Sequence, residues 1–151
     1  MAAFDATAFA DQVSSWNLRY FRPYEFLVLG GRHGDAQSPA YGKNTYPSDN
    51  LWPRMIATAR ILDRFRELIG APVRITNAYR SPAYNKAIGG ASASLHMQFN
   101  ALDFVVEGGS RPTHWARLLR SMRSEQELFK GGVGLYPTFV HVDTRGENAD
   151  W

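Results

Sequence analysis

Two histidines and two aspartates stand at spacings that could do metal chemistry. His96 and Asp103 lie seven positions apart in Ser94-Leu-His-Met-Gln-Phe-Asn-Ala-Leu-Asp103. His141 and Asp143 lie together in Phe139-Val-His-Val-Asp143. His96 follows a loop of small residues, Gly89-Gly-Ala-Ser-Ala-Ser94, whereas Asp103 interrupts the apolar run Ala101–Val106. A loop entering a strand can fold back over it, so residues at this spacing can reach one metal. On a strand His141 and Asp143 share one face, and Val140 and Val142 take the other. Two imidazoles and one carboxylate leave the fourth position of a tetrahedral zinc ion for water, the arrangement of hydrolytic sites. Zinc brings the pKa of such a water down to about 7. There is no cysteine, so thiolate sites, disulfides and cysteine nucleophiles are excluded, and a metal site must use His, Asp, Glu and water. Spacing alone fits such a site and ordinary strand residues equally, although an unpaired carboxylate inside an apolar strand is costly.

Strands and helices must position these groups. Val73–Tyr79, β-branched at Val73, Ile75 and Thr76, predicts one strand, and Ala101–Val106 a second. Gly132–Tyr136 and Phe139–Asp143, linked by Pro137-Thr138, predict an antiparallel hairpin. Leu51, Met55, Thr58, Leu62, Phe65 and Ile69 fall on one helical face and predict a helix from Pro53 to Ile69, with Asn50 as a cap and Gly70 as its stop. A second helix is expected over 112–129, with Trp115, Leu118, Leu119 and Met122 on its apolar side, and a short amphipathic one over 4–15. Trp16, Tyr20, Phe21 and Tyr24 read as packing residues, and Phe26–Leu29 as a brief apolar run. The stretch from Arg32 to Asn50 reads as a long loop, in which His33, Tyr41 and Tyr46 could line a cleft. His114 reads as a surface histidine. The expected architecture is α+β: a small, mainly antiparallel sheet with the metal on one face and helices packed behind it.

With 151 residues and no repeat or boundary, the chain is expected to be one domain, an N-terminal helix and long loop over 1–50 and a metal-binding core over 51–151. A net charge of +3, with arginines scattered and no basic run, argues against nucleic acid as a partner. The first ten residues lack a basic region followed by an apolar one, and no run is long enough to span a membrane. The expectation is a monomer made in the cytoplasm.

Three blocks carry a resemblance to a known family. Ser94-x-His96-x-x-x-x-Ala101-x-Asp103 resembles the Ser-x-His-x-x-Gly-x-Ala-x-Asp signature of the zinc D-alanyl-D-alanine carboxypeptidases and murein endopeptidases, which share their fold with the Hedgehog signalling domain. Gly131-Gly-Val-Gly-Leu-Tyr-Pro-Thr-Phe-Val-His-Val-Asp-Thr-Arg145 is similar to a block of the murein endopeptidase branch, and Ile75–Asn85 to the family's strand followed by Tyr-Arg-Ser…Asn.

The resemblance implies a zinc site of His96, Asp103 and His141 that hydrolyses amide bonds in peptidoglycan stem peptides or cross-links, acting at the cell wall or periplasm, in a phage or prophage endolysin for instance. It also implies that Arg80, Ser94 and Asn85 face the substrate, and that Arg80 steadies the transition state. Asp143 is the candidate for catalytic assistance. Phe99 stands where the family has glycine, so the loop is expected not to demand a glycine-only conformation there, and the ring to pack under the site. Thr138 stands where many members place a Glu, Asp or His, three residues before the last ligand. That departure favours an alternative, a cell-wall-binding module that keeps the fold and metal without cutting. A metal-free assembly protein of a phage particle is the third reading.

Overall fold

Helix α2 (Ile56–Ile69) carries the apolar stripe expected of it, burying Ala59, Leu62 and Phe65. In the computed structural model, which describes residues 3–151, this helix starts later than Pro53. Residues Asp49–Met55 form a 3₁₀ helix instead, with Pro53 inside it. Neither Asn50 nor any other side chain caps α2, whereas Gly70 ends it as expected, with φ +68°. Helix α1 (Ala6–Ser14) is capped by Asp5, whose Oδ1 accepts from the Ala8 amide at 2.9 Å.

Helix α3 (Pro82–Ala87) was not anticipated. Ser81 caps it by accepting from the Tyr84 amide, and Pro82 occupies its first position, where a missing N–H costs nothing. Helix α4 (Pro112–Ser124) stops short of residue 129. Glu125 and Glu127 follow at the end of a helix, where negative charge is disfavoured, and Glu127 turns the chain with φ +55°. Among the described residues no helix is long and apolar enough to cross a membrane.

The sheet has five strands in the order β1-β2-β4-β3-β5. They are β1 (Val73–Asn77), β2 (Ala101–Val106), β3 (Gly132–Leu135), β4 (Val140–Asp143) and β5 (Ala149–Asp150). All neighbours pair antiparallel except β3 with β5. The fold is therefore α+β with a mainly antiparallel sheet, and the β3–β4 hairpin is present. The two-residue β5 was not anticipated, because so short a strand has no periodicity to read.

One face of this sheet is apolar. Phe104 of β2 packs on Phe65 of α2, 5.0 Å between ring centres, and on Trp115 of α4 at 6.2 Å. Strand alternation therefore turns Asp103 to the opposite face. Buried residues from Phe9 to Val142 form one contiguous core. A polar cluster ties that core to the site strands. Thr58 of α2 hydrogen-bonds Asn100, just before β2, and lies 2.8 Å from the hydroxyl of Thr144, just after β4. In the loop over 32–48, buried Asn44 donates to the carbonyls of Leu29 and Tyr79 and accepts from the Ser81 amide, which clamps the loop to the segment leaving β1.

Phe99 occupies a backbone that favours glycine without requiring it. Its backbone is left-handed, φ +54° and ψ +45°, where it ends the 3₁₀ turn Leu95–Gln98. The glycine-like conformation is kept without glycine, and the fully buried ring offsets the strain by packing near Phe9 and Tyr79, at 6.3 and 6.4 Å. Emptying such a space costs about 3–5 kcal/mol, while releasing a left-handed residue returns about 1–2 kcal/mol. Phe99→Gly is therefore expected to lower the unfolding free energy by about 1–4 kcal/mol in urea titrations. An unchanged or raised midpoint would contradict this account.

Candidate metal centre

The register of the sheet brings the first two groups together. Asp103 on β2 lies directly opposite His141 on β4, so their side chains emerge side by side on the face turned away from α2 and α4. His141 Nδ1 lies 3.0 Å from Asp103 Oδ1. The third group arrives from the 3₁₀ turn, in which Ser94 Oγ accepts from the His96 amide and His96 Nε2 lies 3.1 Å from the same Asp103 oxygen. One ligand atom from each of His96, Asp103 and His141 lies within 4.8 Å of the other two, all on buried residues.

The outer nitrogen of each imidazole is engaged. His96 Nδ1–H donates to the Ala78 carbonyl at 2.8 Å, and His141 Nε2–H donates to Asp143 Oδ2 at 2.8 Å. Bonds of this kind fix ring orientation and tautomer and turn the inner nitrogens toward Asp103. Ala78 is available because β1 stops at Asn77, after an irregularity between Ile75 and Asn77, so its carbonyl is not spent in the sheet. The three groups can share protons or hold a metal ion between them.

Electrostatics follow from this packing. Burial alone would raise the Asp103 carboxyl, but the two imidazoles beside it hold it well below the usual carboxylate range. Burial would lower His141, yet its bonds to Asp103 and Asp143 raise it above the ordinary histidine value. Asp143 is likewise held low against its burial, by His141, by Arg145 and by the Gly132 amide.

The structure gives the remaining sequence candidates distinct places. Asp143 is fully buried behind His141 rather than on an open cleft. Its Oδ1 accepts from the Gly132 amide and from Arg145 Nε, at 2.9 and 3.0 Å, and its Oδ2 accepts from His141 and Arg145 Nη2. A carboxylate so occupied orients His141 and has no lone pair left for a reacting water. Arg80 reaches the centre, with Nη2 3.5 Å from Asp103 Oδ2. Burial lowers its pKa, and Asp103 acts in the opposite sense. Its Nε is buried with no acceptor among the described residues. Asn85 lies behind Arg80 rather than in a cleft. It is buried, its Oδ1 is 3.4 Å from Arg80 Nη1, and its Nδ2 donates to the Ala91 carbonyl. Ser94 caps the 3₁₀ turn and is half-buried.

Other candidates lie elsewhere. His33 Nδ1 accepts from the Asn44 amide, in a separate cavity of about 830 Å³ lined also by Phe4, Tyr46, Asp49 and Trp52. Tyr41 is exposed, as are His114 on α4 and Thr138 in the β3–β4 turn. Sequence reasoning missed Arg145, whose fork closes on Asp143, and Trp151, whose ring centre lies 5.0 Å from that of His141. Arg145 follows Asp143 by two positions and could have been found as its partner; nothing near Trp151 signals its position.

Comparison with known proteins gives two findings. The profile of a family described as Peptidase M15 matches residues 32–143, a span that contains His96, Asp103, His141 and Asp143. The chain is also 34% identical, over 84 aligned residues, to the probable peptidoglycan L,D-endopeptidase MepK of Haemophilus influenzae. That alignment covers 51% of this chain and 41% of the relative, so the chain matches well under half of that protein's length. No solved structure matches.

The shifts set a stability window for protein treated with a chelator. Asp103 and Asp143 are lowered on folding, so their contribution is present above the unfolded carboxylate value and is lost as pH falls through the folded one. His141 is raised, so its contribution is complete below the unfolded histidine value and is lost as pH rises through the folded one. Thermal melts of the stripped protein are expected to peak between about pH 4 and about pH 6.5. A maximum above pH 8 would refute this assignment of charges.

Proposed function

Because the chain belongs to the Peptidase M15 family, we propose that it hydrolyses amide bonds in the peptide part of peptidoglycan, with zinc held by His96, Asp103 and His141. The observation that carries this reading is the convergence of three ligand atoms from a 3₁₀ turn and two strands, each imidazole backed by an acceptor. Two nitrogens and one carboxylate oxygen suit zinc and leave a position open for catalysis. When bound, the ion would supply an acidified water and polarise the scissile carbonyl.

The chain's own residues do the rest. Asp143 keeps the His141 ring turned inward, and Arg145 holds Asp143. Arg80, whose side chain remains partly exposed, offers the N–H donors at the end of its fork to a substrate carboxylate or to the oxygen that gains charge during attack. Asn85 and the Asp103 carboxylate keep that fork in place. Ser94 accepts a backbone bond and can still donate its hydroxyl proton to the peptide. The contiguous core supports reading residues 1–151 as one domain, and a peptidoglycan substrate would put its action at the wall.

The relative's activity favours an endopeptidase that cuts between stem-peptide residues over a carboxypeptidase. An endolysin and a wall-remodelling enzyme would use the same site equally. One observation favours the alternative, a wall-binding module. Thr138 is exposed and cannot titrate, and Asp143 is saturated, so neither offers a separate base.

Purified peptidoglycan separates the two readings. The wild type is expected to carry about one zinc per chain by elemental analysis and to release soluble peptide fragments, with both lost in His96→Ala. Zinc with co-sedimentation and no fragments would favour the binding module, and no zinc would end the metallopeptidase reading. Arg80→Lys is expected to keep the zinc but lower kcat by about 100-fold or more, because an ammonium cannot reproduce the fork. Cleavage at the wild-type rate would remove Arg80 from the reaction.

A further inference from the structure

Strand β3 reads Gly132-Val-Gly-Leu135, and both glycines face the side of the sheet that carries the metal centre. Gly134 pairs directly with His141. A methyl group built on Gly134 would come within 2.6 Å of the Trp151 indole, and one on Gly132 within 2.9 Å of it and 2.6 Å of Asp143 Oδ2. Neither glycine has a positive φ. They are needed for space, not for backbone freedom: the two missing side chains form the seat of an indole.

The indole is held from several sides. Trp151 continues the pairing of β5 with β3, its amide donating to the Val133 carbonyl at 3.3 Å and its carbonyl accepting from the Leu135 amide at 2.7 Å. Its Nε1–H donates to the Tyr136 hydroxyl at 2.9 Å. The Arg145 guanidinium lies 5.2 Å from the ring centre, and the His141 imidazole 5.0 Å. Buried Arg123 of α4 anchors the strand that delivers it, donating to the Ala149 carbonyl and to Asp150 Oδ2. Yet Trp151 remains 44% exposed. A tryptophan restrained this closely and buried this poorly contributes little as core. Its contacts are the His141 ring, the Arg145 that grips Asp143, and the floor beneath them.

We infer that Trp151 is a positioning residue of the metal centre. Its indole, seated on Gly132 and Gly134, holds the His141 ring on Asp143 and screens the Arg145–Asp143 pair from water. The inference rests on the metallopeptidase reading and deepens it, giving the Gly-Val-Gly segment and β5 a function in metal binding rather than in folding alone.

The test is zinc affinity of the full chain, measured by competition with a chromophoric chelator, for the wild type, Trp151→Ala, Trp151→Phe and Gly134→Ala. The visible spectrum of each cobalt-loaded protein and the far-ultraviolet circular dichroism of each chelated protein are recorded beside it. Trp151→Ala is expected to bind zinc about 10-fold to 100-fold more weakly and to change the cobalt spectrum while keeping its fold. Trp151→Phe retains a ring over His141 and is expected to stay closer to wild type. Gly134→Ala leaves the tryptophan in the chain but blocks its seat, so it is expected to match Trp151→Ala; if the latter does not fold, Gly134→Ala decides by the same readout. Wild-type zinc affinity and cobalt spectrum in both Trp151→Ala and Gly134→Ala would overturn the inference alone. A wild type that binds no zinc would overturn the metallopeptidase reading and this inference with it.

Discussion

A single carboxylate oxygen, Oδ1 of Asp103, stands within hydrogen-bond distance of two buried imidazole nitrogens, and the surrounding architecture serves that meeting. A buried carboxylate is tolerable only when compensated, and isolated it would cost several kcal/mol or neutralise itself. Compensation here comes from three directions in the chain. The β2–β4 register supplies His141, the 3₁₀ turn supplies His96, and the segment after β1 supplies Arg80. The Thr58 cluster at the junctions of β2 and β4, and Asn44 under the exit from β1, fix the elements that make those approaches.

The groups around the centre divide into those that face it and those that hold others in place. Asp143 has the chemistry of a base but the surroundings of a clamp, with donors on both oxygens. Asn85 has the chemistry of a substrate contact, yet its amide is spent on Ala91 and its carbonyl faces Arg80. In both residues, side-chain type announces what could be done and burial decides what is done. The same distinction separates the two uses of glycine. Gly70 needs its left-handed backbone, whereas Gly134 needs only the absence of a side chain.

Much of this was legible before the fold was known. The alternation of period two in Val140–Asp143 assigns His141 to a face, the lone carboxylate in the apolar run Ala101–Val106 marks Asp103, and the three-and-four spacing from Thr58 to Ile69 assigns α2 its buried side. What escaped depends on tertiary contact. The Ala78 carbonyl is free only because β1 breaks its register near Asn77. β5 exists because Arg123 and Asp150 pin two residues to β3. Phe99 adopts a backbone its residue type disfavours, because the core around Phe9 and Tyr79 rewards its ring.

The order Leu102-Asp103-Phe104 bears on how reliably the chain assembles. If β2 slipped by one residue against its neighbours, Asp103 would turn into the layer formed by Phe65 and Trp115, and Phe104 would turn out of it. A misaligned sheet would therefore bury a bare carboxylate among aromatic rings and be penalised before it could consolidate. The residue at the heart of the centre thus also acts as a proofreader of strand alignment.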